Sequence, residues 1–315
     1  MGRKPRSAYS TGLLLALTCY GLWGAFPIYF ELLLPAGPLE VLGNRIVWTS
    51  VFLAIVATAR KLWPSVRHQW ARPRVKWLLA LAALAVSTNW GVYIWAVQNS
   101  HVVEASLGYF INPLVSVLFG VVLLGEKLRR LQWIAVVLAA LAVAELTVAY
   151  GRPPWIGIIL AMSFAIYSLI RKKAAVPAVE ALTIETSYLF PFALGFLIWL
   201  QVVGQAVLFH ESAANTVLLL LAGVVTAVPL LAFGGAINRL PLSTIGLLQY
   251  ITPVIQFILG VTFFHEEMST SRWIGFAIVW AALVLMSIDA IRTARDPNWV
   301  GGQQVSLQAG EEGRF

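Results

Sequence analysis

The chain has 315 residues, of which 59% are hydrophobic and only 11% charged, and its mean hydropathy is +0.80. Soluble domains carry about 25% charged residues, so this composition excludes a water-soluble globular protein and points to a bilayer as solvent. The net charge of +8 comes from Lys and Arg placed between apolar runs, a membrane-topology pattern rather than a nucleic-acid-binding face, and the single Cys19 excludes an internal disulfide or a thiolate metal cluster.

About 20 apolar residues cross the hydrocarbon core as a helix. Ten segments qualify: 12–33, 39–59, 75–97, 103–124, 132–149, 154–171, 179–203, 217–237, 243–264 and 273–291. The basic start MGRKPRSAYSTG resembles a signal n-region. The following run carries Trp, Pro and Tyr and lacks a small-residue cleavage site, so it reads as a retained first span. That span places Tyr20, Trp23, Gly24 and Pro27 on one face at helical spacing. The second carries Arg45 about 9 Å deep at 1.5 Å per residue. The third contains STNWGVYIWAVQN, with Asn89, Trp90, Tyr93 and Trp95.

In the fourth span Glu104, Gly108, Asn112, Ser116 and Gly120 recur every four residues and form a polar or small stripe, beside Tyr109. The sixth span offers Tyr167 and the seventh Glu185. The ninth has Thr244, Leu248, Thr252, Gln256 and Gly260 at the stripe positions, with Gln249 and Tyr250 between them. Two readings of these stripes stand together: tight packing through small residues with polar groups as glue, or a wall of a polar cavity. Residues 296–315 are polar and glycine-containing and are expected to form a disordered cytoplasmic tail.

The bases set an orientation. Arg3, Lys4, Arg6, the cluster from Arg60 to Lys76, Lys127, Arg129, Arg130, Arg171, Lys172, Lys173, Arg239, Arg292, Arg295 and Arg314 all fall on one side of a ten-span arrangement. The other side holds Arg152 and Arg272. The positive-inside rule then puts both termini in the cytoplasm.

A shift of 140 residues superposes FINPLVSVLFGVVLLGE on YITPVIQFILGVTFFHE. Ile111 meets Ile251, Pro113 meets Pro253, Gly120 meets Gly260, Glu126 meets Glu266 and Trp133 meets Trp273; Glu40 meets Glu180 and Arg45 meets Glu185. The chain reads as two five-helix halves, 1–150 and 151–295. Five is odd, so the halves enter from opposite faces, as in inverted-repeat secondary transporters. Pro113 and Pro253 cannot donate to the carbonyls of Tyr109 and Gln249. Those carbonyls must then face protein or a water-filled cavity, and each proline with its Gly120 or Gly260 partner is a candidate hinge or a plain packing kink.

Intramembrane charges are usually paired and functional. Glu104 is the expected partner of Arg45, and Arg239 that of Glu185. His101 and Glu104 lie one turn apart, as a relay or ligand pair would, but two groups do not make a metal site. The sequence has no P-loop, HExxH, GxSxG or Rossmann glycine run, so it presents no ATPase or hydrolase signature and no cofactor motif.

These residues resemble the EamA branch of the drug/metabolite transporter superfamily. NWGVYIWAVQNSHVVEASLGYFINPLVSVLFGVVLLGEKLRRLQW and LPLSTIGLLQYITPVIQFILGVTFFHE are similar to its RarD group, as are GLWGAFPIYFELL and LEVLGNRIVW. One departure is Gly43-Asn44-Arg45, where the pattern has His before Arg. The resemblance covers nearly the whole chain. It implies an all-α integral membrane protein of ten transmembrane helices, built as two inverted-topology five-helix repeats around a central cavity lined mainly by spans 1, 3, 4, 6, 8 and 9. It names no substrate. The expectation is a multi-pass protein of the bacterial plasma membrane that moves small organic metabolites or drugs by alternating access, an exporter with or without proton coupling. Its partners would be a small-molecule solute and membrane lipids, not nucleic acid. An intramembrane enzyme on a lipid-linked substrate, a passive channel and a non-transporting sensor are the alternatives.

Overall fold

The computed structural model describes residues 5–124, 130–237, 239 and 248–294. The described residues form helices and turns, with no strand among them. In chain order the helices are α1 (Pro5–Glu31), α2 (Pro38–Ala59), α3 (Trp63–Ala71), α4 (Pro73–Gln98), α5 (Val102–Leu124), α6 (Arg130–Tyr150), α7 (Trp155–Ala174), α8 (Ala178–Val202), α9 (Ala213–Ile237), α10 (Ile251–Thr262) and α11 (Thr270–Ala294). Stretches of α1, α2, α4, α8 and α9 are long and apolar enough to cross a bilayer, and shorter apolar stretches lie in α6, α7, α10 and α11.

Local chemistry sets the boundaries. Helices α2, α3 and α4 have proline in the first turn, where the missing N–H has no intrahelical acceptor to lose. Helix α7 ends on Ala175 in the left-handed conformation, φ 50°, two residues before Pro177, the usual way to stop a helix before a proline.

One element lies outside the expected segments, and one expectation is corrected. The loop between the second and third spans contains α3, a short helix seated on α4 and α8. The ninth span is not one continuous helix over 243–264: Leu248 is helical, Gln249 and Tyr250 turn, and α10 begins at Ile251 with only 12 residues. Pro253 is therefore in the first turn of α10 rather than at a mid-helix kink. The Gln249 carbonyl it leaves free accepts the Thr252 N–H at 3.3 Å. By contrast α5 runs unbroken through position 113. The side chains of Pro113 and Ser116 and the surroundings of Gly120 lie outside what is described, as do Glu126, Thr244 and the 296–315 tail.

The helices pack in a definite set of neighbours. Helix α4 lies on α7 and α8, α5 on α7, α2 on α8 and α9, α1 on α9 and α10, α5 on α10, and α6 on α11. Glycine enables the closest of these approaches. A Cβ on Gly223 of α9 would fall 2.2 Å from the Trp48 carbonyl carbon of α2. One on Gly108 of α5 would fall 2.6 Å from the Gly157 carbonyl oxygen of α7. Small residues let backbones meet where lipid supplies no hydrophobic drive between helices. Phe26, Phe30, Tyr93, Ile94, Ala105, Ile156 and Leu219 knit α1, α4, α5, α7 and α9 into one buried cluster.

Candidate functional site

Where these helices converge they leave a cavity between them. Helix α1 lines it with Tyr20, Trp23 and Phe26, α2 with Arg45, and α4 with Val86, Asn89, Trp90 and Tyr93. Tyr109 comes from α5, Phe164 and Tyr167 from α7, and Leu230 from α9. Gln249, Thr252, Pro253 and Gln256 come from the broken segment at α10. The wall is aromatic and sparsely polar, suited to stacking and a few directed hydrogen bonds.

The amide and hydroxyl side chains on and beside this wall are held largely by backbone carbonyls of neighbouring helices. Pro27 lies inside α1 and cannot donate to the Trp23 carbonyl; Gln256 Nε2 donates to that carbonyl at 3.0 Å instead. Thr252 donates its hydroxyl to the Tyr20 carbonyl at 2.9 Å. Asn89 Nδ2 donates to the Leu160 carbonyl at 3.0 Å and to Ser163 at 3.1 Å, while its Oδ1 accepts the Tyr109 hydroxyl at 3.2 Å. Asn112 Nδ2 donates to the Ala161 carbonyl at 3.0 Å, and its Oδ1 accepts Gln249 Nε2 at 3.5 Å. These bonds satisfy groups that would be costly in lipid and fix the rings between them.

The stripe on α5 divides accordingly. Glu104, Gly108 and Asn112 face α7, whereas Tyr109, one residue round the helix, reaches the cavity. Tyr250 packs beside the cavity in the cluster of Phe110, Phe257 and Phe276. Gly260 abuts Val103. The described stripe residues Glu104, Gly108 and Asn112 of α5 are helix contacts, whereas Thr252 and Gln256 of the matching stripe bond to α1 and also line the cavity.

The charges pair differently from expectation. Glu104 does not reach Arg45: it binds Arg152 with contacts of 3.0 and 3.4 Å and accepts the Ile156 N–H at 3.1 Å. The acid thereby caps the start of α7, where the helix dipole favours a negative charge. Glu185 pairs with Arg171 at 3.1 Å and accepts the Tyr167 hydroxyl at 3.3 Å. Arg239 instead donates to the Gly235 carbonyl at 2.7 Å in its own helical turn. His101 stacks near Trp95 at 5.5 Å and contacts the Asn99 carbonyl.

Arg45 is buried, 4% exposed. Its Nε donates to Thr226 Oγ1 of α9 at 2.7 Å, and its guanidinium carbon lies 4.2 Å from the Trp90 ring centroid. The rings of Phe26 and Phe30 sit at 5.4 and 5.5 Å.

Two glutamates matched by the 140-residue shift do parallel work. Glu40 accepts the Val207 and Leu208 N–H groups, at 2.9 and 3.0 Å. Glu180 accepts the Ser65 hydroxyl of α3 at 3.0 Å. Each anchors the segment that connects two spans. Glu266, after α10, accepts the N–H groups of Val102 and Val103 at the start of α5. Burial pushes its carboxyl up to about 7, against the lowering pull of those N–H groups and of Arg272.

Sequence reasoning missed Thr226, Phe30, Phe164, Arg152 and Arg171 as site or supporting residues. Thr226 had a weak signal, a hydroxyl within the apolar AGVVTAVPLL run of α9. The two arginines read as topology markers because a loop cation and a reaching ion-pair partner look alike in sequence.

A profile of the EamA-like transporter family matches the chain twice, over residues 10–148 and 154–288. Protein RarD of Streptomyces exfoliatus is 51% identical over 93% of both chains. A protein of Vibrio cholerae named an uncharacterized transporter is 44% identical, covering 89% of this chain and 93% of its own. A crystal structure at 18% identity superposes with a TM-score of 0.59, over 90% of this chain and 99% of that one, a likeness of fold. With the same profile matching twice across nearly the whole chain, the chain belongs to the EamA-like transporter family of membrane proteins.

Proposed function

We propose that the protein is a secondary transporter of small organic metabolites or drugs, working as an exporter by alternating access in the bacterial inner membrane with both termini cytoplasmic. The observation that carries this reading is the cavity between the two family-matched halves. Tyr20, Arg45, Asn89 and Tyr109 come from the first half, and Tyr167, Leu230, Thr252 and Gln256 from the second. A site at the seam of two halves is the place where rocking of one half against the other exchanges access.

The pattern of helix neighbours supports an inverted repeat. Exchanging the helices of one half for their counterparts turns the α4–α7 contact into α9–α1, α5–α7 into α10–α1, and α2–α9 into α8–α4; the α2–α8, α5–α10 and α6–α11 contacts map onto themselves. A two-fold arrangement requires such matching of its main contacts. The excess of Lys and Arg on one side supports the orientation. The Glu185–Arg171–Tyr167 group touches the cavity through Tyr167 and is the place to seek proton coupling.

The test is solute flux in proteoliposomes of purified protein, with and without a pH gradient. Saturable exchange of a trapped solute supports a carrier, and accumulation driven by the gradient supports coupling. Non-saturating flux would indicate a channel. No flux of any solute from a broad metabolite mixture would overturn the reading. Uptake into inside-out vesicles reads the direction.

A further inference from the structure

Arg45 is a permanent cation at neutral pH, buried among aromatic rings in the cavity wall. It forms no ion pair among the described residues. Its Nε is taken by Thr226, while its Nη1 is buried with no hydrogen-bond partner. The Tyr93 hydroxyl, on the same wall, is also buried without a partner. No carboxylate lines the cavity among the described residues. Glu185 reaches it only through Tyr167 and is already matched by Arg171.

A buried cation without an anion is costly. The rings of Trp90, Phe26 and Phe30 offset part of that through their negative faces. Stacking occupies the flat face of a guanidinium and leaves its edge, where the N–H donors point, for a planar acceptor. The site is one donor-rich point in an otherwise aromatic chamber.

We propose that the transported solute is an aromatic or amphipathic organic anion whose carboxylate docks on the free edge of Arg45, with Tyr93 as a second donor. This rests on the transporter reading above and adds the charge class of its solute. The anion supplies the missing counter-charge, and its apolar body stacks among Trp23, Trp90, Tyr109 and Phe164.

The probes are matched triplets that differ only in the head group: 3-phenylpropionate, 3-phenylpropanol and 3-phenylpropylamine; and indole-3-acetate, tryptophol and tryptamine. Melting temperatures of the full chain in nanodiscs are measured against each up to millimolar concentration. The carboxylates should stabilise the protein saturably, and the alcohols and amines should not. Arg45→Gln should weaken carboxylate binding about 10- to 100-fold, as expected for loss of a charged hydrogen-bonded partner. Arg45→Lys, which keeps the charge without the fork, should fall between the two. Tyr93→Phe should weaken binding by a smaller factor.

Binding of an alcohol or amine as tight as its matched carboxylate would overturn the proposal. So would unchanged carboxylate binding in Arg45→Gln, or no carboxylate binding to the wild type. Should Arg45→Gln not fold, the ranking within each triplet and the Arg45→Lys variant decide. The two readings fail separately. Flux of neutral or cationic solutes alone sinks the anion proposal and spares the transporter; anion binding without flux of any solute does the reverse.

Discussion

Gln256 Nε2 donates to the carbonyl of Trp23 at 3.0 Å across 233 positions of sequence, and that carbonyl is free because Pro27, four residues on, has no N–H to offer it. The proline in the first helix and the amide in the tenth thus form one device joining α1 to α10 at the cavity. Gln256→Leu should destabilise the protein by about 1 kcal/mol, the scale of interhelical hydrogen bonds in membranes, because it orphans a buried acceptor. Pro27→Ala restores a helical donor to that acceptor. In the Pro27→Ala background the Gln256→Leu penalty should therefore shrink by at least half. A double-mutant cycle on melting in detergent measures this; equal penalties in both backgrounds would show that the proline and the glutamine act independently.

The Glu185–Arg171 pair joins α7 to α8 behind the cavity, with Tyr167 bridging to the chamber. Removing one member of a buried pair leaves the other charge uncompensated. Glu185→Gln keeps the Tyr167 bond but strips the charge, and it should destabilise the protein by about 3 kcal/mol. Arg171 is 22% exposed at its side chain, so water recovers part of the loss when Arg171 stands alone. The double variant Glu185→Gln with Arg171→Gln should be more stable than the sum of its parts predicts. Thermal denaturation of the four proteins decides it, and strict additivity would show that the pair is not energetically coupled.

Much of the fold was legible because a bilayer imposes a coarse rule, about 20 apolar residues per crossing, and α1, α2, α4, α8 and α9 obey it. Arg45, Asn89, Tyr109, Thr252 and Gln256 were legible as site candidates because polar groups in apolar runs need a reason. Their partners were not. Hydropathy cannot tell that Arg45 reaches Thr226 and the Trp90 ring, since many helix rotations bring some hydroxyl or ring within reach. Glu104 was placed with Arg45 on shared depth alone; the neighbour that takes it is Arg152, at the mouth of the adjacent helix. The break at Gln249–Tyr250 was hidden because an apolar run looks the same whether its helix is whole or in two pieces. Helix α3 was hidden because its charges matched the loop pattern that the topology rule looks for.

Gly108 tests how tightly α5 must approach α7. An added Cβ would meet the Gly157 carbonyl oxygen at 2.6 Å and the Leu160 Cβ at 2.9 Å, and the backbone oxygen cannot swing aside. Gly108→Ala should destabilise the protein by about 2 kcal/mol, within the range for overpacking, despite the better helix propensity of alanine. At Gly195, on the exposed face of α8, an added Cβ would meet nothing within 4 Å, so Gly195→Ala should be neutral or slightly stabilising. Melting temperatures of the two variants check this, and equal effects would mean the α5–α7 contact yields easily. Because Tyr109 follows Gly108 and lines the cavity, Gly108→Ala should also slow flux.

Glu266 gives the fold a pH dependence whose sign can be worked out. Its carboxyl accepts the Val102 and Val103 N–H groups outside the membrane-spanning segments, facing the charges of Arg272 and Glu104. Burial, the largest influence, raises it to about 7 in the folded protein, whereas an unfolded glutamate titrates near 4.3. The fold thus binds a proton that the unfolded chain has released between those two values. Stability from this group is fully present below about pH 4.3 and is lost as pH rises through about 7. A tenfold difference in proton affinity between the two states is worth about 1.4 kcal/mol, and after allowance for partial exposure the loss across the window is about 2 kcal/mol. Glu266→Gln keeps an acceptor oxygen for the α5 N–H groups but cannot ionise. The wild type should lose stability relative to Glu266→Gln between pH 5 and pH 8, with the two converging at the acidic end. Parallel melting curves over that range would mean that Glu266 ionises at its ordinary value, held there by the helix N-terminus it caps.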